Sequence, residues 1–461
     1  MEKAFAVKIG YYRRDVVDRE GKVTQTETYR GQDGFIHLPI RLTDIIITVS
    51  GLDNRCATKR NDNDSDGDPP DTVHTTVPEI AQLYNFPTLF PKKGQTIAIL
   101  SRGGGYLDSD ITSYFNDLKL LAPKITDVCI DGATKSTTHL TETTMDICTA
   151  GSAAQGVSIA VYFITGDLQS WLDAVGRITF PDDGDPACTV LSCSHYISAA
   201  DDSKTLEDKH GIKDSWMQSM TMAFEDAAMM GVTVIFASGD HGSAPKASCK
   251  KARVQYPPSD PWVLTVGGTT VGDLNVNSGA FDEFVWNDSD GGATGGGVSD
   301  YFPLPWYQQG VEVPRSINDQ HSGRGIPDVA ANASKHSCYK FYINGLEKYE
   351  GGTSVAAPLW AGLIALINAS LGEEVGCPDL GSGFLNPILY SMYLNPDRWM
   401  ASGWKPFRNI SGPPGPTDNV YQGADDVPGY PSVEGRWDAC TGLGSIDGLG
   451  LLNCLAADYL Q

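Results

Sequence analysis

Ser354 closes the glycine-rich turn of "EGGTSVAAPLW" and opens the apolar run "LWAGLIALI". The glycines let the chain turn closely, the small residues after the serine let a helix pack, and a helix N-terminus favours negative charge developing beside it. A serine so placed can act as a nucleophile, and a nucleophilic serine needs a base. None of the 8 histidines sits in a recognisable partner motif; His139 and His210, the latter in "DKHGIKDS", are the weaker alternatives. A carboxylate pair offers another base. In "HLTETTMDICTAG", Glu142 and Asp146 are spaced to share one face of a helix. Two close carboxylates cannot both ionise cheaply, so one of them moves toward a range useful for proton transfer. Two solvated acids on an exposed helix would show the same spacing, but their place just before the buried run "GVSIAVYF" favours chemistry. Asp240 follows a buried strand in "VIFASGDHGS". Ser-Gly-Asp is ordinary turn chemistry.

These residues need a scaffold. "QTIAIL", "GVSIAVYFI", "CTVLSCSHY", "VTVIFA" and "WVLTVGGTTV" read as buried strands, and "SDITSYFNDLKLL" and "DSWMQSMTMAFEDAAMMG" as helices between them. Apolar strands alternating with helices imply an α/β domain of three layers around a mostly parallel sheet, with its site at the carboxyl ends of the strands. The chain of 461 residues can bury a sizeable core. A net charge of −23 argues against nucleic acid or an anionic membrane as partner; an acidic surface usually serves solubility alone, and a protein that works in acid is the other reading. No apolar run reaches the length of a membrane span. The 10 cysteines show no zinc spacing and suit an oxidising compartment with some disulfides. Five Asn-X-Ser sequons begin at Asn63, Asn287, Asn332, Asn368 and Asn409.

"GGTSVAAP" looks like the serine region of subtilisin-like peptidases, yet the histidine motif of that group is missing and Ser101 in "AILSRGGGY" stands where its aspartate would be. Taken with "VPEIAQLYNFP", "RGGGYLDSDITSYF", "ETTMDI", "FASGDHGS", "YPPSDPWVLTVGGTT", "TGGGVSDYFPLPWYQ", "RGIPDVAANAS", "GFLNPILY" and "DACTGLGS", the chain resembles the sedolisins, the serine-carboxyl peptidases, over almost its whole length. The resemblance implies a subtilisin-like fold and an acid-active peptidase, endopeptidase or tripeptidyl peptidase, acting on peptides or proteins. It implies Ser354 as nucleophile, Glu142 as general base, Asp146 as its partner and Asp240 as oxyanion stabiliser. A catalytically silent homologue acting as a binding protein is the alternative, and a neutral subtilase using His139 or His210 is a third.

The resemblance also divides the chain. Residues 1–55 resemble the C-terminal part of a kumamolisin-type propeptide, an α+β segment that would be a partner of the enzyme itself. Residues 56–75 would be an exposed linker and processing region, and 76–461 the catalytic domain. Met1 then falls inside the propeptide, so the signal peptide of a secreted or lysosome-like enzyme is expected upstream of it. A C-terminal calcium site is implied at Asn409, Ile410, Glu434, Arg436 and Asp438, altered because Asn409 replaces a carboxylate and Glu434 and Arg436 replace glycines. "SCSHY" at Ser192–Tyr196 departs from the Ser-Trp-Gly strand that lines the family's cleft, which bears on specificity. "NDNDSDGD" mimics an EF-hand start, but Val73 stands where its glutamate should be. Neither "TGGGVSD" nor "RGGGY" ends as a P-loop does.

Overall fold

The computed structural model describes residues 8–17, 23–33, 72–88, 94–197, 214–244, 250–275, 280–288, 292–399, 403–408, 410, 415–424 and 427–459. Residues 56–71 of the expected linker (56–75), the EF-hand mimic, His210 and Asn409 lie outside them, and the described end of that linker is not all exposed, because Thr75 is buried. In the N-terminal segment, β1 (Lys8–Val17) and β2 (Val23–Asp33) form an antiparallel hairpin.

The chain joins the main domain at Val73–Thr75. The Val73 and Thr75 amides bond to the carbonyls of His336 and Cys338, and Thr75 is buried. Helix α1 (Val77–Leu83) follows, started by a capping box in which Thr76 and Glu79 satisfy each other's end of the first turn. Then come β3 (Thr96–Arg102), α2 (Asp108–Asp117), β4 (Lys124–Cys129), α3 (Thr141–Ala153), β5 (Ser158–Ile164), α4 (Leu168–Thr179), β6 (Val190–Cys193), α5 (Asp214–Met229), β7 (Thr233–Ala237), β8 (Leu264–Asn275), β9 (Ala280–Val285), β10 (Val329–Asn332) and α6 (Thr353–Val375).

The strands lie in the order β10-β8-β7-β6-β3-β5-β4, all parallel, with β9 added antiparallel to β8. Alternate residues of β3 explain the layering. Ile97 and Ile99 belong to a core shared with Ile147 and Ala150 of α3 and Leu359 and Leu363 of α6. Ala98 and Leu100 belong to a second core with Trp171 and Ile178 of α4 and Met220 and Phe224 of α5. A strand apolar on both faces needs a helix layer on each, and it has them.

Helix α6 is longer than the run that suggested it. At 23 residues it is long and apolar enough to cross a membrane by composition alone. Its apolar character all round has another cause here, because nearly all of it is buried between the sheet, α3 and the C-terminal helix Gly448–Tyr459. No disulfide joins any two of the eight described cysteines, so the expected disulfides do not form among the described residues. Asn332 and Asn368, two of the sequon asparagines, are fully buried and closed to a glycan as folded.

Candidate active site

Ser354 is the second residue of α6 and almost fully buried. The turn before it depends on two glycines. Gly352 adopts φ of +101°, and a Cβ there would stand 2.9 Å from Asp240 Oδ2. A Cβ on Gly351 would stand 2.6 Å from the Ala333 carbonyl oxygen. Only glycine lets the chain pass this close and turn this way.

Asp240 follows β7 in a turn whose Gly239 has φ of +108°. Its Oδ1 accepts from the Thr353 amide at 2.8 Å and from the Thr353 hydroxyl at 2.7 Å. The Thr353 hydroxyl oxygen accepts in turn from the Gly239 amide at 3.0 Å. Asp240 thereby caps α6 from another part of the chain, satisfying one of its first amide donors. Its second oxygen, Oδ2, faces Gly352.

Glu142 and Asp146 stand on the first two turns of α3, Glu142 half-buried and Asp146 buried. The helix start is pinned to the end of β3 by the Ser101 and Thr143 hydroxyls, 2.7 Å apart. Farther along, a Cβ on Gly362 of α6 would stand 2.8 Å from the Ala153 Cβ of α3. Between these points the hydroxyl of Ser194, just past β6, lies 2.7 Å from Asp146 Oδ1 and 3.2 Å from the Ser354 carbonyl. Residue 146 therefore lies near 354, and 153 near 362. The two helices run side by side in the same direction, and their positive ends point the same way.

The Cys193 thiol reports the charges gathered here. Burial pushes its pKa well above the usual value, Asp146 and Glu142 add to the rise, and Arg102 at the end of β3 opposes it. Ser101, Ser194 and Asp240 all sit at or just past the carboxyl ends of parallel strands, where sites in such sheets form.

His139 is not part of this group. Its ring is exposed and its Nδ1 lies 3.2 Å from the Thr138 hydroxyl. Sequence reasoning noted the segment Ser192–Tyr196 only as a departure and missed Ser194 as a link. The signal available was its position, one residue beyond a buried strand end.

Of the five residues implied as calcium ligands, the structure describes Ile410, Glu434, Arg436 and Asp438, and among the described residues no group of His, Cys, Asp and Glu side chains is placed to hold a metal. Asp438 is buried, with Oδ1 accepting from the Cys440 amide (2.9 Å), the Thr441 amide (2.8 Å) and the Thr441 hydroxyl (3.2 Å). Its Oδ2 accepts from the Ser432 hydroxyl (3.1 Å) and the Val433 amide (3.0 Å). A carboxylate has about four lone-pair sites, and these donors aim hydrogens where a cation would have to sit. Glu434 is exposed, and Arg436 turns outward to Glu312 at 2.6 Å. Ile410 packs with Val285 and Cys440. The Asp438 carboxylate is thus filled by its own loop, and Asn409 lies outside the described residues.

A profile of the subtilase family matches residues 165–373. Kumamolisin of Bacillus sp. (strain MN-32) is 35% identical over 459 residues, covering 94% of this chain and 75% of its own. Tripeptidyl-peptidase sed5 of Aspergillus fumigatus is 32% identical over 498 residues, covering 100% of this chain and 80% of its own. Among solved structures, Pseudomonas sedolisin, a serine-carboxyl proteinase complexed with pseudo-iodotyrostatin, superposes with a TM-score of 0.65 at 22% identity, covering 84% of this chain and 99% of that one. That likeness concerns the fold.

Proposed function

The chain belongs to the sedolisin family of serine-type peptidases, and from that premise we propose that it hydrolyses peptide bonds in acid through Ser354, Glu142, Asp146 and Asp240. Glu142 takes the hydroxyl proton of Ser354 as its oxygen attacks the substrate carbonyl. Asp146 holds Glu142 and spreads the charge of the pair. Asp240, protonated on Oδ2, donates a hydrogen bond to the oxyanion, which an ionised aspartate would repel. The proton on Glu142 then passes to the departing amine, leaving an acyl-enzyme on Ser354. Water, deprotonated by Glu142, releases the second product.

The observation that supports this most is the junction of α3 and α6. Their first turns share one end, with Asp146 and the backbone of Ser354 within reach of a single hydroxyl. Of the two cleavage modes, tripeptide release is favoured by the name of the fungal relative that covers the whole chain. We read the N-terminal segment as part of an inhibitory or folding propeptide, and the place of action as an acidic, extracellular or lysosome-like compartment.

The test is hydrolysis of a fluorogenic peptide between about pH 3 and about pH 8. Activity should peak below neutrality and fall by at least about 10⁴-fold in Ser354→Ala. A variant as active as the wild type would refute the assignment. Mass spectrometry of a long peptide digest separates tripeptide ladders from internal fragments.

A further inference from the structure

Pro358 lies inside α6, one turn after Ser354. In an α-helix each amide donates to the carbonyl four residues earlier, and proline has no amide hydrogen. The Ser354 carbonyl is therefore the one that loses its helical i+4 donor. The Ser194 hydroxyl reaches that carbonyl, at 3.2 Å. The same hydroxyl lies 2.7 Å from Asp146 Oδ1. One atom past the end of β6 thus touches both the backbone of the nucleophile and the carboxylate that braces its base.

We propose that Ser194 is a positioning residue that couples the protonation state of the Glu142–Asp146 pair to the backbone carrying Ser354. This rests on the functional reading above. A hydroxyl has a single proton to donate. While Asp146 is ionised the proton goes to the carboxylate, the shorter and charge-assisted contact. When Asp146 holds a proton, it can donate to the Ser194 oxygen, and the hydroxyl hydrogen turns to the Ser354 carbonyl. The first turn of α6 gains its missing donor only in that second state. The neighbouring strand makes the contrast: the Ser101 hydroxyl meets Thr143 of α3 alone. The charged and titratable groups around this hydroxyl are Asp146 on α3, which it touches, Glu142 on α3 and Arg102 at the end of β3, which act on the adjacent Cys193, and Cys193 and His195 on its own segment.

The experiment compares the full chain with Ser194→Ala and Ser194→Thr, measuring kcat and KM for a fluorogenic peptide across the pH range. Ser194→Ala should lower kcat about 10- to 100-fold and leave KM within about twofold. It should also move the acid limb of the kcat profile up by about one pH unit, because the ionised pair loses a donor. Ser194→Thr, which keeps the hydroxyl, should restore most of both. In an Asp146→Asn background the alanine change should cost less than about twofold more. A fall in kcat with the acid limb unmoved would reduce Ser194 to packing and overturn the proposal, as would an unchanged kcat. Should Ser194→Ala fail to fold, Ser194→Cys, close in size and a weaker donor, gives the same reading. A wild type with no peptidase activity at any pH overturns the functional reading and this one together. An active wild type with an unmoved limb in the variant overturns this one alone.

Discussion

Asp438 and Asp240 are both carboxylates at tight turns, and they differ in where their donors come from. Every donor to Asp438 lies within six residues of it, at Ser432, Val433, Cys440 and Thr441. Asp240 is held by Thr353, 113 residues away, and Asp146 by Ser194, 48 residues away. A carboxylate closed by its own loop is a structural fastening that forms whenever the loop forms. A carboxylate held by a distant segment exists in that setting only when the whole domain has folded. Removing the first kind should cost stability, and removing the second should cost rate.

The sharpest way to break this contrast is at Glu142, the proposed base. Glu142→Gln keeps the size of the side chain and removes its basicity, and kcat should fall about 10³-fold while the melting temperature stays within about 2 °C. A parallel loss of stability would show that α3 needs the charge to fold. Asp438→Ala should do the reverse. It strands several donors, including the buried Cys440 and Thr441 amides, and should cost about 2–4 kcal/mol in denaturant melts with kcat intact. Because those donors occupy the carboxylate, adding a chelator or calcium should move the melting temperature by less than about 1 °C; a larger calcium-dependent rise would show that the loop opens to bind the ion.

The smallest expected effect is a dependence of stability on pH. Burial raises the pKa of Asp260 to about 6, against the opposing bonds from Thr221 and the Trp262 amide. Its folded value lies above its unfolded one, so the folded state binds the extra proton. Stability from this group is full below about pH 4 and lost as pH rises to about 6. Burial would lower the pKa of His321, but its bonds to Asp319 and to the Ser299 carbonyl outweigh that and raise it. His321 therefore acts in the same direction, stabilising below about pH 6.5 and fading as pH rises through its folded value. Melting temperatures should be higher near pH 4 than near pH 7, and Asp260→Asn should flatten part of that slope. A protein more stable at neutral pH would count against an acid-adapted fold.

Much of this architecture was legible in sequence. The runs "QTIAIL", "GVSIAVYFI" and "VTVIFA" became β3, β5 and β7 because strands buried on both faces have to be apolar throughout. The edge strand β4 is mostly exposed or half-buried and carries no such run, so its sequence did not announce it. No disulfide joins the described cysteines; their number says nothing about distance, and a disulfide needs two Cβ atoms within about 4.5 Å of each other. In the C-terminal loop the residue type at Asp438 was legible, while the direction of the amides that fill its carboxylate was invisible.

The sequence by itself determined which turns the candidate side chains occupy. Gly351 and Gly352 must be glycines for Ser354 to begin a helix against Asp240, and the spacing of Glu142 and Asp146 suits one face of another helix. Only the tertiary structure decided that these two helices run in the same direction with their first turns together, and that Ser194 is the residue joining them. Local spacing fixes geometry within a helix. The meeting of two helices depends on the order of strands in the sheet between them, which no short stretch of chain encodes.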